Sequence, residues 1–194
     1  MTSSTATRTG LSLSHMGFYV HDLERCEDFY SRVLEFTVTD RGSLPTPNGK
    51  VQLVFLSRDP AVHHQIVLAG GRPETLAFNP INQISFEADS LDTLRRFHQR
   101  FIDEKLQEIA PVTHGNAISC YARDPEGNRL EIFIDTPWYV DQPMRVPVDF
   151  SLPDDELLAA VERHARTLPG FRPRDEWEAE MAKRMGSAEK RPWP

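Results

Sequence analysis

Two stretches of this chain carry the same alternation of apolar and polar positions. In "LSHMGFYVHDLERCEDF", residues 13–29, a short run with apolar residues at every second place gives way to a polar turn and then to apolar residues at three- and four-residue steps. "INQISFEADSLDTLRRF", residues 81–97, repeats the scheme. Period two over a short run predicts a half-buried strand, and period 3.6 predicts a helix with one apolar face. An offset of 68 residues superposes His15 on Gln83, Gly17 on Ser85, Tyr19 on Glu87, Leu23 on Leu91, Cys26 on Leu94 and Phe29 on Phe97 without a gap. Leu23, Cys26, Phe29, Tyr30, Val33 and Leu34 form the apolar face of the first predicted helix, and Leu91, Leu94, Phe97, Phe101 and Ile102 that of the second.

Strand-like runs follow each helix. "FTVTDRG", "KVQLVFLSRD" and "HHQIVLAGG" follow the first, separated by turn-formers. "NAISCYARD" and "RLEIFID" follow the second, flanking "DPEGN", in which Pro presets one turn dihedral and Gly tolerates a positive one. The expected fold is α+β. It comprises two tandem βαβββ units, at 11–72 and 81–140, forming a curved mixed sheet around a central cleft, joined by a linker at 73–80 within "GGRPETLAFNP". A single unit of about 60 residues leaves one sheet face bare, which favours two units closing on each other. Residues 1–10 read as a flexible N-terminus, and 141–194 as an extended arm and a helical tail. The tail holds a helix over about 154–167 that Ser151 caps and a second over about 174–185 that ends at Gly186. It is expected to cover the outer sheet surface or a partner subunit, or to act as a lid.

Composition narrows the functional classes. With 194 residues, 39% hydrophobic and 26% charged, the chain reads as globular, and its apolar runs are far too short to span a membrane. The opening "MTSSTATRTG" lacks the apolar segment of a secretory signal, so a cytoplasmic location is expected. A net charge of -7 without a basic block argues against nucleic acid and leaves a small molecule as the expected ligand. Cys26 and Cys120 have neither C-x-x-C nor zinc-finger spacing and read as reduced packing residues.

The candidate chemistry lies on the strands. His15, Gly17 and Tyr19 share one face of the first strand, and Gln83, Ser85 and Glu87 the equivalent face in the second unit. Glu131 interrupts an apolar strand between Leu130 and Ile132, and a carboxylate facing inward there needs a partner or a metal, since a bare buried charge costs several kcal/mol, on the order of the penalties for buried ions. Gln83, where the first copy has His15, can be read as a ligand, a weakened ligand or the mark of a lost site. His15, Gln83 and Glu131 would meet in the cleft. Without a metal, His15 would be a hydrogen-bonded packing residue, Gln83 would hydrogen-bond Glu131 or a water, and Glu131 would form a salt bridge, for instance with Arg129 or a tail arginine. His63 is expected to face solvent, and His21, His98 and His164 carry no assigned role.

The paired units, the opening "LSHMGFYVHDLERCEDFYSRVLEF" and the closing "YARDPEGNRLEIF" resemble the vicinal oxygen chelate superfamily, which includes glyoxalase I, bleomycin-resistance proteins and type I extradiol dioxygenases. The likeness covers about residues 10–140. It implies a divalent metal held by His15, Gln83 and Glu131. Three features resemble the extradiol dioxygenase branch. His64 in "HHQIVLA", sharing a face with Ile66 and Leu68, matches a histidine acting as acid or base. "THGNAISCY" matches a segment supplying His114, Asn116 and Tyr121 around the substrate, although the His114 to Tyr121 spacing is shorter than in that branch. Tyr121 precedes Glu131 by the expected ten positions. The implied catalytic set is His64, His114 and Tyr121, with Asn116, Tyr19 and Phe133 lining the substrate. The implied activity is ring cleavage of a catechol-like aromatic with Fe(II), with Mn(II), Ni(II) or Zn(II) as other possible ions, in a homodimer. A glyoxalase-like lyase or isomerase and a metal-free module that sequesters a small molecule are the competing readings. An amide oxygen is a harder, weaker donor than imidazole, so Gln83 should loosen iron relative to harder ions.

Overall fold

Asp22 starts the first helix: its side chain accepts the backbone N–H of Arg25 at 3.0 Å, and residues Leu23–Asp28 follow as α1. The helix then widens into a π-helical turn over Phe29–Val33. In the equivalent place Ser90 accepts from the N–H of Thr93 at 3.1 Å and opens α2, Leu91–Asp103. The chain is described by a computed structural model that covers residues 12–47, 49–76 and 79–185. The expected flexible N-terminus at 1–10, Ala77 and Phe78 of the linker, and the proposed cap Gly186 lie outside the described residues.

Each half builds the predicted strands. The first has β1 (Met16–Val20), β2 (Thr37–Thr46), β3 (Gly49–Ser57) and β4 (Ile66–Gly70). The second has β5 (Ile84–Glu87), β6 (Ala110–Thr113), β7 (Ala117–Arg123) and β8 (Arg129–Asp135). The hydrogen-bonded order is β1-β4-β3-β2 in the first sheet, and β5, β8, β7 and β6 run in the same relative order in the second. β1 is parallel to β4 and β5 to β8, while β3 runs antiparallel to β2 and β4, so the fold is α+β with mixed sheets. The repeat seen in the sequence is therefore a repeat of topology. β6 was not among the predicted strands; it is four residues long and contains Pro111.

The chain divides into two compact units. One comprises Ser14–Val112 and Ser119–Ile134 and holds both helix-bearing halves. Its core includes Phe18, Val20, Cys26, Tyr30, Val33, Leu56 and Leu68 from the first half, and Leu94, Phe101, Cys120 and Leu130 from the second. Burying each large apolar side chain contributes about 1.5–3 kcal/mol. Ile102, assigned to the apolar face of α2, is instead 44% exposed, because the buried stripe ends at Phe101. Both cysteines are free and buried, as expected.

Two polar clusters join the halves. Asp124, at the head of "DPEGN", accepts the N–H groups of Glu126 and Asn128 at 2.9 and 2.8 Å, the Asn128 side-chain amide at 2.6 Å and the Tyr30 hydroxyl at 3.1 Å. Burial raises its carboxyl above the usual range, and those hydrogen bonds oppose the shift. Arg72, just past β4, donates to the backbone oxygen and the carboxylate of Glu126 at 3.1 and 3.2 Å.

The other compact unit contains Thr113–Ile118 and residues 135–185. It carries β9 (Trp138–Tyr139), β10 (Val146–Pro147), α3 (Asp154–Ala165), β11 (Arg172–Pro173) and α4 (Arg174–Met185), with β9 and β11 paired antiparallel. Both tail helices match the expectation, except that Pro153 occupies the N-cap of α3 without a side-chain bond and Ser151 does not cap it. Leu157, Val161 and Ala165 of α3 are buried. Gly115, at φ +76°, sits against Val140, and its carbonyl accepts from the Thr136 hydroxyl at 3.0 Å and the Trp138 indole at 2.6 Å.

Candidate metal and substrate site

The parallel register of β5 and β8 sets Ser85 opposite Glu131 and Glu87 opposite Phe133. Residues two apart on a strand share a face, so Gln83 lies beside Ser85. Glu131 is 7% exposed and is held by three donors. Gln83 Nε2 and Ser85 Oγ each donate to its Oε2 at 2.6 Å, and the Tyr121 hydroxyl donates to its Oε1 at 2.7 Å. Gln83 Nε2 also donates to Ser85 Oγ at 2.7 Å. These hydrogen bonds satisfy a carboxylate carried on an otherwise apolar strand.

His15 belongs to the other half. It directly precedes β1 and is exposed, with its Nδ1 3.3 Å from Ser14 Oγ. Its ring meets that of His64 edge-on, with centroids 4.2 Å apart. His64 also packs on Phe55 at 5.2 Å, and its Nδ1 lies 2.8 Å from Nδ1 of His63. Burial, then the adjacent His15 and His63, hold the His64 imidazole below its ordinary pKa. This corrects the expected side of His64. Ile66 and Leu68 face the core, whereas Phe55 pairs with Val67 on the opposite, open face. His64 precedes β4, and at Gln65 the side chain turns back to accept the N–H of Arg58 at 2.9 Å, so strand alternation does not reach it.

Within one chain the structure thus gathers Gln83, Ser85, Tyr121 and Glu131 and, separately, His15, His63 and His64. β1 and β5 each form the outer strand of their own sheet, and the two are not paired with each other. Among the described residues, no three His, Cys, Asp or Glu side chains gather as a metal site. The donor set beside Gln83 and Glu131 nevertheless suits a hard divalent ion: a carboxylate and an amide oxygen are two of the oxygen donors such ions take.

The register also identifies the counterpart of Glu131. Gly17 pairs with Val67 as Ser85 pairs with Glu131, and Gly17 is the repeat partner of Ser85. The first half therefore carries Val67 where the second carries its carboxylate.

The remaining residues fall in distinct places. Tyr19 is 57% exposed and lines a groove with Leu23, Lys50, Val51 and Gly70; Phe133 is half-buried on the Glu131 face. His114 and Asn116 lie in the turn between β6 and β7, which belongs to the other compact unit. There His114 Nδ1 is 2.7 Å from the carbonyl of Met144, and Asn116 accepts from Gln142 at 3.3 Å. Sequence reasoning set Ser85 on the right face but gave it no role, because its contact with Glu131 depends on the pairing of β5 with β8. No helix among the described residues is long and apolar enough to cross a membrane.

Comparison with known proteins agrees with this architecture. Over 126 residues the chain is 25% identical to biphenyl-2,3-diol 1,2-dioxygenase 2 of Rhodococcus globerulus, covering 63% of this chain and 62% of that protein. Over 88 residues it is 34% identical to biphenyl-2,3-diol 1,2-dioxygenase 3 of the same organism, covering 43% and 46%. The chain thus spans less than two thirds of the length of either relative. The crystal structure of a glyoxylase/bleomycin resistance protein/dioxygenase domain from Frankia sp. EAN1pec superposes with a TM-score of 0.53 at 20% identity, covering 66% of this chain and all of that one. The family model for the Glyoxalase/Bleomycin resistance protein/Dioxygenase superfamily matches residues 12–132, and the chain belongs to that superfamily.

Proposed function

We propose that this protein is a metal-dependent enzyme acting on a catechol-like aromatic, with ring cleavage as its reaction, and that a second copy completes each site. The observation that carries the proposal is the buried Glu131 carboxylate, held by Gln83, Ser85 and Tyr121 on the open face of the second sheet. His15 occupies the repeat-equivalent place of Gln83 at the outer strand of an equivalent sheet. Pairing β1 of one copy with β5 of another would bring His15 to Gln83 and Glu131. That pairing would also satisfy two exposed strand edges. The weak likeness to two biphenyl-2,3-diol dioxygenases supports the aromatic diol as substrate.

Gln83, Glu131 and His15 would hold the ion, with Fe(II) first and Mn(II), Ni(II) or Zn(II) as the other candidates; when bound, it would act as a Lewis acid and make the hydroxyls of a vicinal diol more acidic. His64, whose imidazole is held below its ordinary pKa, is neutral near pH 7 and able to accept a proton from a substrate hydroxyl. Tyr121 fixes one oxygen of Glu131 while its ring borders the same face. Phe133 and Tyr19 supply apolar and aromatic wall. His114 and Asn116 are assigned to the substrate on the resemblance alone.

Val67 in place of a second carboxylate disfavours the lyase or isomerase reading, which wants such a group on the last strand of the first half. One observation favours the metal-free sequestering reading: the Gln83 amide already donates to Glu131. Protein purified without oxygen decides between them, through its metal content and its turnover of biphenyl-2,3-diol. Bound iron and a yellow ring-opened product support the proposal; protein that binds no divalent ion refutes it. Gln83→His should keep or raise iron affinity and turnover, and a collapse of both would overturn the role given to Gln83.

A further inference from the structure

Three short hydrogen bonds close a ring among Gln83, Ser85 and Glu131, and Ser85 is the member with no assigned role. Gln83 Nε2 donates to Ser85 Oγ at 2.7 Å and to Glu131 Oε2 at 2.6 Å, and Ser85 Oγ donates to the same carboxylate oxygen at 2.6 Å. A side-chain amide has two N–H donors and one carbonyl oxygen, and a hydroxyl can accept while it donates. The amide nitrogen of Gln83 is therefore turned toward Ser85 and Glu131, and its Oε1 is turned away from Glu131. The reversed amide would set Oε1 against Glu131 Oε2, acceptor against acceptor. Only the carbonyl oxygen of an amide can ligate a cation, so this ring decides whether Gln83 offers a ligand at all.

The position of Ser85 follows from the fold. It is the register partner of Glu131 on parallel strands and stands two residues from Gln83 on one face. The Tyr121 hydroxyl serves the opposite oxygen.

We infer that Ser85 is a positioning residue: it locks the Gln83 amide with its carbonyl turned away from Glu131 and fixes one oxygen of Glu131, so that a glutamine can stand where the first half has His15. In the equivalent place the first half has Gly17, which lacks a hydroxyl. The role in ion binding rests on the proposed metal site; the orientation of the amide does not.

The test separates the two. In protein freed of metal, hydrogen exchange of the assigned Gln83 side-chain NH2 group is measured by NMR for wild type, Ser85→Ala and Ser85→Thr. Exchange slowed in wild type and Ser85→Thr but fast in Ser85→Ala is expected. Equal exchange in wild type and Ser85→Ala overturns the inference, whatever the ion does. Mn(II) is then titrated by calorimetry against the same proteins and Glu131→Gln. Loss of a residue that orients a ligand typically lowers metal affinity about ten- to a hundredfold, so Ser85→Ala should weaken Mn(II) binding by that range while Ser85→Thr stays near wild type. Equal Mn(II) affinity in wild type and Ser85→Ala refutes the link to the ion. Wild type binding Mn(II) no better than Glu131→Gln, with the exchange difference intact, refutes the metal site and leaves the amide lock standing.

Discussion

Replacing Arg72 by methionine should destabilise the protein severely, although the residue lies outside the candidate site. The side chains of Arg72 and Glu126 are 9% and 4% exposed, so the pair is almost fully out of water. Arg72 Nη1 reaches both the backbone oxygen and the carboxylate of Glu126, whose other oxygen accepts the N–H of Asp22 at 3.1 Å. Asp22 is the N-cap of α1, so the pair ties the end of β4, the β7–β8 turn and the start of α1 together. Removing only the guanidinium leaves a buried carboxylate with one neutral donor, a change that costs about 3–5 kcal/mol. For a chain of this size that corresponds to a fall in Tm of about 6–20 °C. Removing both charges should be far milder: Arg72→Met/Glu126→Met is expected to recover most of the loss, since a well-packed apolar pair often replaces a buried ion pair at little cost. Thermal and urea unfolding of wild type, both single variants and the double variant form the cycle. A Tm within about 2 °C of wild type for Arg72→Met, or a double variant as unstable as the sum of the singles, would refute the reasoning.

Burial pushes the Cys120 thiol up to about 12 and raises that of Cys26 as well, so neither should react with a thiol reagent at pH 8 in the folded protein, and both should react in denaturant. Asp124 has its folded carboxyl raised above its ordinary value of 3.8, chiefly by burial. Its protonation therefore contributes stability that is full below that value and is lost as pH rises through the folded value. The stability difference between wild type and Asp124→Asn should accordingly fall as pH rises from about 4, and a pH-independent difference would contradict the assignment. Gly115→Ala requires a side chain at φ +76° and sets its Cβ against Val140. Backbone strain alone costs about 1–3 kcal/mol, and early proteolysis of residues 135–185 is the measurable sign.

The repeat was legible because its strongest signals are local. The offset of 68 holds through the first strand, the N-cap and the helix, and it predicted β5 and α2 from β1 and α1. Legibility ended where long-range pairing takes over. A four-residue strand with Pro111 carries too little pattern to stand out. The alternation that set His64 beside Ile66 and Leu68 fails because Gln65 turns its side chain back to Arg58 before β4 begins. Val67 could be matched to Glu131 only from the sheet register, since the spacing between the halves has changed by that point in the chain. The acid cluster was half visible: Glu131 announced itself as a charge on an apolar strand, but Ser85 needed the partner strand.

Val67 carries a consequence of its own. On the proposed reading the first half supplies His15 and His64 but no carboxylate, so the wall formed by β3 and β4 carries no proposed ligand and can vary to fit a different molecule. Under that proposal, substitutions there should change which molecule is accepted and leave the Gln83–Ser85–Glu131 ring intact. Variation for selectivity should therefore be sought at Leu53, Phe55, Val67 and Ala69, which tile that wall in register.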